Sequence, residues 1–293
     1  MVAVPGPASG PLMPQAAAAP AEMRYSWAVL RTLRAVPTLL RVGLADAVAY
    51  RAEFLVWLLS TNMPLVMLAL WSAVARDGPV GRFGQEEFVA YYLAALVVRL
   101  LTGAWVIWEL NFEIRQGTLA FRLLRPVHPL VAYAAENVAA MPVRLAVSLP
   151  VALVALWILG GKHVTHDPVL LALFPVTVFS AWLITYLAMA AVGCLAFWFE
   201  SATSLFDVWL GLFGIFSGYL VPLELYPRWV NDVSYFLPFR YMLAFPVELV
   251  TGGLTRSQAL AQLGAQQAFV LLLLGAAAGM WRLGTRRFAA FGG

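Results

Sequence analysis

The chain has 293 residues, 62% of them hydrophobic and 12% charged, where a soluble domain carries about a quarter charged residues. With a mean hydropathy of +0.81 it would lack the polar surface to cover a soluble core, so it reads as an integral membrane protein. Its net charge of +4 comes from 19 Lys and Arg scattered between apolar runs, which excludes a nucleic-acid-binding block.

In chain order, residues 1–22 are rich in Pro, Ala and Gly, with no basic residue before Arg24. A secretory signal needs a basic start and an apolar core. The stretch is therefore expected to be a disordered leader, with Met23 as an alternative start. Residues 23–52 set Trp27, Leu30, Leu33, Leu40, Leu44 and Val48 at spacings of three, four and seven, with arginines between. This is the pattern of an amphipathic interface helix, expected to divide at Pro37.

A membrane helix needs about 20 mostly apolar residues. Over residues 53–285, six stretches qualify: Phe54–Ala75, Phe88–Trp108, Asn137–Leu159, one within Val169–Phe199, Leu205–Val221, and one within Ser257–Trp281. Pro175 is expected to mark an irregular entry to the fourth. Each span must satisfy its own backbone in lipid, so the expected fold is all-α with six transmembrane helices. A barrel would need alternating strands of about ten residues, which these runs are not. Residues 286–293 form a short tail. With the N-terminus cytoplasmic, 11 basic residues fall inside and 6 outside, so both termini are expected in the cytoplasm.

Between the second and third spans lies "EIRQGTLAFRLLRPVHPL", Glu113–Leu130. Glu109 and Glu113 stand one helical turn apart. Ile114, Phe121 and Leu124 can share a face, with Arg115, Arg122 and Arg125 around it. Gly117 permits a bend, and Pro126 and Pro129 stop the helix and return the chain to the bilayer. By pattern alone, a bent amphipathic helix and a plain positive-inside loop both stand.

Followed by "AYAAEN", this stretch resembles the cytoplasmic loop of ABC type-2 exporter permeases, in particular the subgroup with the viologen-exporter permeases. A second stretch, "SGYLVPLELYPRWVNDVSYFLPFRYMLAFPVELV" (Ser217–Val250), is similar to the re-entrant hairpin that precedes the last span there. The likeness runs from about residue 24 to the end. It implies that Glu113, Arg115, Gly117, Phe121, Arg122, Leu124, Arg125 and Pro126 form a coupling helix docking on an ATPase subunit. It implies an outer hairpin built on Ser217, Gly218, Pro222, Glu224, Pro227, Pro238, Arg240 and Tyr241. Tyr219, Tyr226, Trp229, Tyr235, Phe236 and Phe239 crowd that hairpin, as interface aromatics do.

The P-loop pattern is absent, so ATP and Mg are expected on a partner ATPase chain and no cofactor on this one. His163, His166 and Asp167 in "GKHVTHD" read as a polar turn, and no metal site is expected. Cys194 is the only cysteine and reads as core packing. Arg99 and Arg144 interrupt the second and third spans. A charge there costs about 3 kcal/mol or more unless it faces protein or water. Each is expected to pair with an acid such as Glu136, Glu200, Asp207 or Glu248; the alternative is that they line the translocation path or the subunit interface.

The resulting expectation is the inner-membrane permease subunit of an ABC exporter for a small hydrophobic or cationic molecule. The resemblance implies that it would pair with a second, non-identical permease and two ATPase subunits. An ion-driven secondary transporter or a membrane scaffold are the alternatives. The first would commonly show internal repeats and a central coupling acid, and neither is visible.

Overall fold

The computed structural model describes residues 21–49, 63–159, 164–199 and 202–288. Most of the expected leader, the start of the first span, His163, Glu200 and the end of the tail lie outside the described residues. What is described is almost entirely helical, with one isolated bridge between Val80 and Phe83. Four helical stretches are long and apolar enough to cross a membrane: Gln85–Gln116, Pro129–Ile158, Pro168–Phe197 and Arg256–Phe288. Two shorter apolar helices, Met63–Val74 and Ala202–Phe216, stand where the first and fifth spans were expected. At about 1.5 Å per residue the 15 residues of the latter reach only about 22 Å.

α1 (Ala21–Ala49) is one helix running through Pro37, not two. Pro37 is exposed, so the single backbone bond it forfeits lies where other groups can compensate. α2 is Met63–Val74. The second span is broken where continuity was expected. α3 (Gln85–Thr102) ends at Gly103, and α4 (Val106–Gln116) begins after Trp105. α5 is the short Leu119–Leu123.

The third span starts earlier than expected. Pro129, expected only to stop a helix, opens α6 (Pro129–Ala139) at a position where its missing N–H costs nothing. α7 (Met141–Leu159) follows across a turn at Ala140. α8 (Pro168–Cys194) passes straight through Pro175, so the irregular entry predicted there is not found. α9 is Ala202–Phe216. The hairpin holds α10 (Arg228–Ser234), α11 (Pro238–Met242) and α12 (Ala244–Val250). α13 (Arg256–Phe288) covers the stretch expected as the sixth span and runs on into the expected tail.

α8 is apolar around its whole circumference, and it is the hub of the bundle: α3, α4, α9, α11, α12 and α13 all pack on it. A helix without a polar face suits a membrane span, part of its surface packed in the bundle and part, such as Val176 and Phe179, left exposed. Trp182, Ile184, Tyr186, Ala190 and Cys194 lie in its buried surface. α3 packs between α2 and α7, and α1 lies along α6. α3 and α4 thus form a broken rod with the 113–130 loop at one end and the hairpin at the other.

Candidate functional site

At the loop end, α4 closes at Gly117, whose φ of 72° places it in the left-handed region and whose N–H bonds the Ile114 carbonyl at 3.3 Å. This is a glycine-dependent helix end that turns the chain into α5. α5 presents two faces. Leu119 is fully buried, while Phe121 and Leu124 are 68% and 83% exposed. Arg115, Arg125 and Pro126 are also exposed.

Arg122 behaves differently from its neighbours. Its Nε donates to Glu113 Oε1 at 2.8 Å and its Nη1 to Glu136 Oε1 at 3.0 Å. Its guanidinium sits 4.1 Å over the Tyr133 ring, and the Tyr133 hydroxyl donates to Glu113 Oε2 at 2.6 Å. Burial opposes the Arg122 charge, but Glu136 and Glu113 more than offset it and hold its pKa above the ordinary arginine value. Tyr186 of α8 donates to the Leu130 carbonyl and ties the start of α6 to the hub. Glu109 lies one turn before Glu113, and its Oε2 is buried without a hydrogen bond. Beyond it, Trp108, Asn111, Phe112, Arg115 and Gln116 line an open groove along one face of α4.

Of the acids expected to pair with the intramembrane arginines, Glu200 lies outside the described residues. Glu136 and Glu248 are engaged by Arg122 and Arg240 instead. Arg144 is buried, and its Nη1 donates to the carbonyl of Gly103 at 2.6 Å. That carbonyl is at the broken end of α3, where the backbone has lost its helical partner and the helix dipole is negative. Arg99 lies in the last turn of α3, its guanidinium 5.5 Å from the Phe213 ring and 5.9 Å from the Tyr219 ring. The partners seen among the described residues are a backbone carbonyl for Arg144 and two aromatic rings for Arg99.

At the hairpin end, Ser217 is fully buried and its side-chain oxygen accepts from the Tyr219 N–H at 3.2 Å. Gly218 has φ of 79°, and a Cβ there would strike the Tyr91 hydroxyl. The Tyr91 and Tyr92 hydroxyls donate to the carbonyls of Gly218 and Leu220, both at 2.8 Å, and Trp71 Nε1 to that of Leu220 at 3.1 Å. Pro222 precedes a 3₁₀ turn containing Glu224, which pairs with Arg82. Pro227 precedes α10, and Pro238 opens α11. Arg240 Nη2 bonds Glu248 Oε2 at 2.6 Å, with both side chains buried at 3% and 5% exposure. Asn231 and Gln262 each lie 3.4 Å from the same guanidinium, whose carbon is 4.1 Å from the Tyr235 ring. Burial pushes the Glu248 carboxyl upward and Arg240 opposes the shift. Gln266 Nε2 donates to the carbonyls of Tyr241 at 2.9 Å and Thr177 at 3.0 Å. The hairpin is therefore fastened to α2, α3 and α13 by backbone-directed bonds, and through Gln266 of α13 to α8. Asp167, read as part of a polar turn, caps α8 through the Val169 N–H and pairs with Arg256, which holds its carboxyl below the usual range.

Sequence reasoning missed Tyr133, Tyr91, Tyr92, Gln262 and Gln266. The last two were legible as a polar pair one turn apart in an apolar helix. The phenols carry no such pattern, because a buried tyrosine looks like any core aromatic until its hydroxyl partner is seen.

The chain has no match among curated proteins. A family model described as ABC-2 family transporter protein matches residues 61–292, which takes in the broken rod, the 113–130 loop, the hub helix and the hairpin. With more than three quarters of its length matched, the chain belongs to the ABC-2 transporter family, the multi-pass membrane permease components of ABC transporters, whose ATPase is a partner.

Proposed function

We propose that the chain is the permease subunit of an ATP-driven exporter in the inner membrane, with six crossings and both termini cytoplasmic. ATP and Mg bind a separate ATPase dimer, which acts through the 109–130 segment. The observation that carries this reading is the exposed tip of α5. Phe121 and Leu124 stand out on a short helix whose other side is fixed to the ends of two long apolar helices. Exposed apolar side chains on a braced projection suit a rigid contact to another subunit.

A second permease, non-identical to this one, completes the path. The groove beside Trp108 and Phe112 and the exposed apolar residues Leu205, Val208, Leu212 and Ile215 of α9 favour that arrangement, since one chain leaves this face uncovered. The cargo is a small hydrophobic or cationic molecule. The hairpin, with its fixed backbone and aromatic surface, serves as the outer lid.

The test is gentle purification from native membranes followed by reconstitution. A co-purifying ATPase and ATP-dependent loss of a lipophilic cation from the donor compartment are expected. A chain that purifies without an ATPase and moves the probe only with an ion gradient would replace this reading with a secondary transporter.

A further inference from the structure

We propose that Arg122 is a positioning residue that clamps the coupling tip to both adjoining helices, and that it makes no contact with the ATPase. The inference deepens the exporter reading and rests on it for its functional part. Its structural part stands on geometry alone.

α5 has little of its own to hold it in place. Five residues cannot hold a helix by their own hydrogen bonds. The bend before it offers no packing either, since nothing lies within 4 Å of a Cβ built on Gly117. Leu119 is the one fully buried side chain α5 contributes. A tip fixed only there could swivel about a single anchor, and a swivelling tip transmits no rigid-body motion.

Arg122 supplies the remaining constraints. Its Nε holds Glu113 at the end of α4, its Nη1 holds Glu136 on α6, and its planar face covers Tyr133 of α6. The Tyr133 hydroxyl closes the ring by donating to Glu113. Three elements are thus joined through one guanidinium. Movement of the tip must be delivered to the α3–α4 rod and to the α6–α7 pair together.

Arg122 is also turned away from any docking partner. Its side chain is 19% exposed, against 68% and 83% for Phe121 and Leu124. The geometry requires arginine specifically: a planar fork reaches two carboxylates and stacks on a ring, whereas an ammonium does not.

The test uses the full complex and two independent readouts. A nitroxide on Leu124→Cys reports the motion of the tip, since Cys194, the only native cysteine, is buried. Arg122→Gln should raise the label's mobility and Arg122→Lys should raise it less. In nanodiscs, export per ATP should fall about tenfold in Arg122→Gln, within the range expected for residues on a coupling path. Binding of the ATPase should change no more than about twofold, while Phe121→Ala should weaken it strongly. Should Arg122→Gln fold poorly, Tyr133→Phe keeps the ring and removes one bond, and should lower export per ATP about twofold. Unchanged label mobility overturns the clamp whatever the ATPase does. Loss of ATPase affinity at constant export per ATP makes Arg122 a contact and overturns it as well. A wild-type complex without an ATPase overturns the exporter reading itself, and the coupling role with it.

Discussion

Replacing Arg240 by alanine removes one half of an ion pair whose members are 3% and 5% exposed and 2.6 Å apart. The remaining carboxylate of Glu248 is buried, and its neighbours from α10 and α13 are placed around the guanidinium. Breaking a buried pair from one side costs about 3–5 kcal/mol, because an uncompensated charge is left behind. The lower half of that range applies here, since burial already favours a proton on Glu248. Arg240→Ala should therefore lose about 3 kcal/mol. The double variant Arg240→Met, Glu248→Leu should recover most of it, since desolvation of both charges disappears with them. Equilibrium unfolding in mixed micelles, run on wild type, both single variants and the double, gives the coupling energy directly. A single variant within about 0.5 kcal/mol of wild type, or a double as unstable as the sum of the singles, would refute the buried pair as the hairpin's anchor.

Four further perturbations follow from the geometry of the loop, the hairpin and the broken rod. Gly117→Ala should cost about 1 kcal/mol, from backbone conformation alone, because the space beside it is open. Gly218→Ala should cost distinctly more, about 3 kcal/mol, because its Cβ also meets the Tyr91 hydroxyl; equal losses in the same unfolding assay would contradict that. Glu109→Gln should stabilise by about 1 kcal/mol, since Oε2 is buried without a partner near Glu136 and Glu113. A comparable loss of stability would mean that the carboxylate is satisfied. Arg144→Met should cost about 2 kcal/mol by stranding the Gly103 carbonyl, with export per folded molecule unchanged; a selective loss of export would place Arg144 in the transport path.

The sequence made the class and most helices legible because an apolar run long enough to cross a bilayer has few other uses. It failed where proline was read by rule. Pro37 and Pro175 sit inside intact helices at exposed positions, where the loss of one backbone bond is tolerable. The break at Gly103 to Trp105 lies in a run with no proline and left no strong signal. Its satisfaction by Arg144 comes from a helix far along the chain. The loop illustrates the same limit. Its arginines were legible as a set, but the side each one faces is not. Arg125 points outward and Arg122 inward, and only the positions of Glu113, Glu136 and Tyr133 in space decide that.

The central claim, that the exposed tip of α5 meets a separate ATPase, is tested most directly by cross-linking. Leu124→Cys provides an accessible thiol, since native Cys194 is buried. A thiol-anchored photo-cross-linker at that position, activated in native membranes, should join the chain to an ATPase subunit, with a yield that changes when ATP is bound. A tip that remains water-accessible and captures no ATPase in the intact, transporting complex would contradict the account.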